Sequence, residues 1–408
     1  MWKARCAISW TILYTTFTLA SARIHELSQV VVPTEQEAMS CVEARGGRII
    51  RDDSKSNKPV VEVDFSDCQL VHNGDLDKLR GFGSLRSLNL SRWNSPLRTL
   101  INDAGADSLS QMVGLRCLSL EATYISDKGL HKLISLKGLT TLNLGATKIT
   151  YRGLPDISSF SELEELDISK AELTDASLSH LASLKKLRTL CLRFTSITDA
   201  GVKHLSRLQS LTSLDLMQTR ITDAGVKELN NLKTLKDLYA SFTLVSDSSI
   251  EELKKHPDMQ GLDVGHTLVS ENGVRELVFF KKLEELNLEG LKVTDAGVKE
   301  LRSLTRLTSL SMGATDITDA GVESISCLSR LQFLDLSNTM VSDAGLRSVS
   351  SLKDLQILVL LRTNITDDGL QHLKKLKQLK QLVLLRSRVT ESGIAELKKT
   401  LPSLEVSR

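Results

Sequence analysis

The sequence predicts an α/β solenoid: a curved horseshoe with a parallel sheet on its concave face and short helices on its convex face. Three observations predict it. A 24-residue unit, typified by LTSLDLMQTRITDAGVKELNNLKT from Leu211 to Thr234, recurs from Leu115 to the C-terminus. Within the unit the apolar period changes from two, at Leu214 and Leu216, to three, at Val226 and Leu229, which is a strand followed by a helix. A Ser or Thr stands at position 12 of every copy from Ser126 to Thr390, counting Leu211 as position 1.

Each element of the unit has a physical reason. The hydroxyl at position 12 accepts a hydrogen bond from the free N–H groups of a helix's first turn, so it marks the N-cap. Acidic residues such as Asp199, Asp223, Asp295 and Asp319 follow it and face the positive end of the helix dipole. Glycine recurs at position 15, as in Gly129, Gly201, Gly225, Gly297, Gly321 and Gly345. Glycine is a poor helix-interior residue, so its recurrence predicts close backbone packing between neighbouring turns. Position 9 is mostly Thr, from Thr123 to Thr363. A stacked hydroxyl there is expected to bond the backbone of adjacent turns. One unit cannot bury its own apolar stripe, but stacked units can. Strands stack about 4.8 Å apart while helices need about 8–10 Å, which bends the stack.

The pattern resembles leucine-rich repeat proteins of the LxxLxLxxTxITDAGLxxL type, over roughly residues 60–408. It is similar to secreted bacterial proteins with this repeat and to the repeats of F-box substrate receptors. The resemblance implies the fold directly, but one scaffold hosts many ligands.

In chain order, residues 1–22 read as a signal peptide. Lys3 and Arg5 precede an apolar stretch that ends Ala20-Ser21-Ala22, a small-residue cleavage site. Residues 23–59 read as an N-terminal cap. Its helix opens at the capping box Thr34-Glu35-Gln36-Glu37, ends at Gly46 and Gly47, and is followed by an edge strand over 48–51. Residues 60–408 form one continuous solenoid. Cys68 takes the position that Thr usually holds, and an insertion between Trp93 and Leu100 lengthens the second repeat by six residues. Leu401, Leu404 and Val406 close the array with a last strand that leaves end-to-end self-association open.

Composition narrows the function. Of 408 residues, 52 are basic and 50 acidic, so the formal net charge is +2 and nothing calls for nucleic acid. No apolar run after residue 22 is long enough to span a bilayer. There is no phosphate-binding glycine loop, no G-x-S-x-G and no H-E-x-x-H, so neither an enzyme nor a cofactor is expected. His180 and His204 share a position on successive helices and read as solvated residues rather than as a metal pair. The cysteines are scattered. A Cys41–Cys68 bridge would staple the cap to the first repeat, though isolated thiols are the simpler expectation, and Cys117 and Cys191, three repeats apart, are too far from each other to bridge.

Positions 3, 5, 7 and 8 point off the strands toward the concave side. Their middle carries an acidic band: Glu165, Asp167, Asp215, Asp237, Asp263, Glu285, Glu289 and Asp335. It is expected to serve solubility. Nearby lie Phe194, Tyr239, Phe242 and His266. Toward the end the surface turns apolar, with Phe333, Ile357, Val359, Leu361, Val383 and Leu385 edged by Arg362 and Arg386. Aromatic and apolar side chains with arginine at the rim suit an interface for a protein or peptide partner. The expectation is a secreted or cell-envelope binding scaffold. The alternatives are a substrate-recognition subunit of an F-box ubiquitin ligase, for which residues 23–59 are short, and an envelope component assembled end to end.

Overall fold

The computed structural model describes residues 32–66, 68, 71–91 and 100–408. The expected signal peptide and the insertion with Trp93 lie outside the described residues. Among the described residues, sixteen strands form one sheet in strict chain order. Arg48–Arg51 runs antiparallel to Val60–Asp64, and from there each strand pairs parallel with the next, ending at Glu405–Ser407. The register is invariant: Leu214 aligns with Leu190 on one side and Leu238 on the other. Each return between parallel strands carries a short helical stretch, such as Asp199–His204 continued by the 3₁₀ turn Leu205–Arg207.

The seven apolar residues of the reference unit, Leu211, Leu214, Leu216, Ile221, Val226, Leu229 and Leu232, are at most 1% exposed. They belong to one core that runs the length of the array. Burying each contributes about 1.5–3 kcal/mol, and each is buried largely by its counterparts one repeat away.

Position 12 caps its helix as the sequence predicts. Thr222 is extended, with φ −125°, and its Oγ1 accepts from the Ala224 N–H at 3.2 Å. The acid at position 13 does more than face a dipole. Asp199 Oδ1 accepts the Thr222 amide at 2.8 Å and Oδ2 accepts the Thr222 hydroxyl at 2.7 Å, from the next repeat. Asp175 binds Thr198 in the same way, Asp295 binds Thr318 and Asp343 binds Thr366. A carboxylate thus clips most repeats to their successors.

The recurrent glycine makes room first for that carboxylate and next for the Ile or Val four residues earlier, not for neighbouring backbone. A Cβ on Gly201 or Gly345 would stand 2.5 Å from Oδ1 of Asp175 or Asp319 in the preceding repeat. In the first repeat Asn73 Oδ1 plays this part, accepting the Asn102 amide beside Gly105. The exception supports the cause. From Asp103 on, Tyr151 is the one residue at position 13 without a side-chain carboxylate, and the corresponding residue of the next repeat is Ser177 rather than glycine. There Thr174 and Ser177 cap each other locally. After Asp223 the residue is Ser249, whose hydroxyl donates to that carboxylate.

The Thr residues at position 9 also differ from expectation. Thr195 and Thr219 donate to Leu192 O and Leu216 O at 2.7 Å, three residues back in their own turn. They hold the strand-to-turn corner within one repeat, and the backbone itself links the corners.

Ahead of the solenoid, the helix Glu35–Arg45 opens on the Thr34–Glu37 capping box and ends at Gly46, which is left-handed at φ 75°. Arg45 Nε lies 3.0 Å from Asp75 Oδ2 on the next helix. Burial alone would raise the Asp75 pKa. The His72 amide and the Arg45 guanidinium overcome that and hold it below the usual carboxylate range. Cys41 and Cys68 remain thiols, and Cys41 Sγ points at the Asp75 carboxylate at 3.6 Å.

Candidate partner-binding surface

Invariant register decides which concave side chains meet. Phe333, Ile357 and Gln381 form one lateral row, and Asp335, Val359 and Val383 form the next. All six are half-buried by their neighbours, as is Leu361, while Leu385, Arg362 and Arg386 are exposed. Phe333 therefore adjoins Ile357, and Val359 adjoins Val383. Tyr239 lies four strands away in the same row as Asp335, between Asp215 and Asp263.

Position 8 is a left-handed corner in every repeat from Ala122 to Arg386. Gln218, Phe242, His266, Arg362 and Arg386 have φ of 52°, 57°, 53°, 54° and 60°, and Gly290 occupies the same corner at φ 71°. An L side chain is disfavoured there. The corner persists because its amide bonds the next repeat: the N–H of Phe242 donates to Gly265 O at 3.0 Å and that of His266 to Glu289 O at 2.7 Å. The corner projects its side chain to the rim. Phe242 and His266 stack with ring centroids 4.3 Å apart and planes 17° from parallel. His266 Nε2 lies 3.6 Å from Glu289, and Lys170 Nζ lies 5.3 Å from the centre of the Phe194 ring.

Much of the acidic band has a structural task that the sequence does not announce. At position 5, Asp167, Asp215, Asp263 and Asp335 accept the amide of the residue two further on at 2.8–3.0 Å. Asn89, Asn143 and Asn287 do the same. These are Asx turns that finish the strand. Tyr239, Val359 and Val383 stand at the same position and make no such bond. These repeats give up a hydrogen bond to place an aromatic or aliphatic side chain on the open face.

The band is crowded electrostatically. Burial raises the carboxyls of Asp215 and Asp263, and burial together with Glu285 raises Asp237. Burial, Glu285 and Asp237 push the Tyr239 hydroxyl up to about 12. Burial and then Asp167 push the Cys191 thiol far up, so it stays protonated and unreactive near neutrality. No group of three metal-binding side chains converges among the described residues, and no helix there is long and apolar enough to cross a membrane.

Two features escape a reading of strand positions alone. Leu244 and Leu268, at position 10, are 56% and 63% exposed beside Phe242, itself 51% exposed. The signal was present: other repeats carry Lys148, Glu172, Arg220 or Asp316 at this place. His256 is buried at position 22, where Leu232 and Phe280 stand in the flanking repeats, and neither ring nitrogen has a hydrogen-bond partner.

These features define a leucine-rich repeat solenoid, and the chain is a leucine-rich repeat protein. A family profile described as "Leucine Rich repeat" matches residues 207–229 and 303–326. Among solved structures, an internalin from Listeria monocytogenes is similar at 19% identity and TM-score 0.53, over 93% of this chain and 98% of that one. A leucine-rich repeat protein of Leptospira interrogans is similar at 23% identity and TM-score 0.49, over 80% of this chain and 85% of the other. A comparison with curated proteins gave no match.

Proposed function

We propose that this protein is a secreted or cell-envelope binding scaffold, without catalysis, that holds a protein or peptide partner on its concave face. The observation that supports this most is the exchange at position 5. Most other repeats keep an Asx turn there and a few carry Ser or Cys, whereas Tyr239, Val359 and Val383 turn larger aromatic or aliphatic side chains outward. Isolated apolar residues on a surface need no explanation, but the in-register cluster of Phe333, Ile357, Val359, Val383 and Leu361 is contiguous. Phe194, Tyr239, Phe242 and His266 supply a second anchor set, and Leu385, Arg362 and Arg386 edge the first. A stacked array also presents these groups already ordered, so little conformational entropy is lost on binding. In this proposal residues 1–22 are the export signal and residues 23–59 cap the open end of the core.

The test compares partner capture by the full chain and by two double variants, Tyr239→Asp with Phe242→Asp and Ile357→Asp with Val359→Asp, in native-host extracts. Each variant is first checked for an unchanged circular dichroism spectrum. Loss of the same captured bands in at least one variant supports a concave-face scaffold. Identical capture by all three proteins contradicts it.

A further inference from the structure

A cluster of exposed apolar side chains lies on the rim where the strands turn outward, and it has a defined composition. Phe242, Leu244, His266 and Leu268 occupy positions 8 and 10 of two adjacent repeats. The two rings stack, and Leu268 N–H donates to Val245 O, which fixes the two corners side by side. Basic residues flank the cluster at position 10: Arg220 in the repeat before and Lys292 in the repeat after. Both are exposed, and neither side chain makes an ion pair among the described residues. Folding gains little from this arrangement. Position 10 is polar in most other repeats, and Phe242 sits in a left-handed corner that Ala122, Ala146 and Ala314 fill elsewhere.

We propose that this rim cluster is a docking site for an apolar segment of a protein partner that is bracketed by carboxylates. The segment's apolar side chains cover Leu244, Leu268 and the Phe242–His266 stack, and its Asp or Glu residues meet Arg220 and Lys292. From Arg220 to Lys292 is three repeat spacings, about 14 Å at the strand spacing. That separation fits carboxylates about four residues apart in an extended segment, or about ten apart in a helix. An apolar centre with a polar rim is the usual anatomy of a protein interface, and here Glu289 lies against His266 while the position-10 residues on either side, Arg220 and Lys292, are both basic and select by charge. The site deepens the scaffold proposal, because Phe242 and His266 belong to both.

The test is selection of a displayed random 12-residue peptide library on the full chain, followed by anisotropy titration of the most enriched labelled peptide. The expected peptides carry an apolar pair flanked by Asp or Glu. Leu244→Glu with Leu268→Glu should weaken binding about tenfold or more, since removing two anchors at a well-packed centre typically costs that much. Arg220→Glu with Lys292→Glu should invert the selected charge from acidic to basic, which a merely structural role would not do. Enriched peptides that bind both rim variants as tightly as the parent overturn the docking site. If those peptides are instead lost on Ile357→Asp with Val359→Asp, the concave scaffold stands without it. No enrichment on any form overturns both. A concentration-dependent dimer that the Leu244→Glu, Leu268→Glu variant dissolves would show the occupant to be a second copy, which also overturns the partner proposed here.

Discussion

The clip between repeats makes a quantitative prediction that inverts the sign of a substitution. Asp199 accepts two hydrogen bonds from Thr222, and a Cβ added at Gly225 would overlap its Oδ1 while meeting Ile221 Cβ only at an ordinary 3.4 Å. Asp199→Ala removes both bonds and leaves a half-buried amide unpaired, which costs about 2–4 kcal/mol. Gly225→Ala in the parent forces the carboxylate off its partners, which costs about 1–3 kcal/mol. With Asp199→Ala already present, the obstacle is gone. Gly225→Ala then gains the helical preference of alanine, up to about 1 kcal/mol. The double variant should be more stable than Asp199→Ala alone, with a coupling energy of about 2–4 kcal/mol. Urea titration of the four proteins, followed by circular dichroism, reads this directly. If Gly225→Ala destabilises equally in both backgrounds, the glycine does not exist to seat the carboxylate.

Two further substitutions test the interior and the acidic band. His256→Leu should stabilise the fold at pH 7 by about 1–3 kcal/mol, because it replaces a buried imidazole without partners by the residue type of its neighbours. Burial, then Lys233 and Lys255, lower the His256 pKa from 6.5. The unfolded imidazole therefore takes a proton first, parent stability is lost as pH falls below 6.5, and the advantage of the variant grows there. Equal urea midpoints at pH 7 and pH 5.5 for the two proteins would contradict this. Asp215→Asn should raise the midpoint at pH 7. The folded carboxyl is raised by burial, so its charged form opposes folding above that pKa, and an amide oxygen can still accept the Met217 N–H as Asn143 accepts that of Gly145. The gain should vanish in acid, where the parent carboxyl is neutral; a lower midpoint at pH 7 would contradict it.

The fold was legible because each unit repeats the same local signals. The period switch at Leu216, the cap at Thr222 and the buried leucines all act within one repeat, so one repeat is enough to read them. The sequence reading went wrong over hydrogen-bond partners, some in the next repeat and some in the same one. Gly225 looks like a backbone contact until its partner Asp199, 26 residues earlier, is placed beside it. Asp215 looks like a surface charge until its bond to the Met217 amide is seen. The candidate surface was readable only to the extent that strand positions define it. Phe333, Ile357 and Val359 follow from period two, whereas Leu244 and Leu268 lie beyond the strand, two residues after the left-handed corners at Phe242 and His266, and show only in comparison with the polar residues at position 10 of other repeats.

The central claim is that the open face of the sheet, and not the helical face, meets a partner. The most direct measurement is site-specific photo-crosslinking in the native host, with the same photoreactive residue placed at Tyr239, at Val359 and at the convex-side Lys203. Discrete higher-mass adducts are expected from at least one of the two concave sites and none from Lys203. Adducts from Lys203 alone, or the same adducts from all three positions, would contradict the claim.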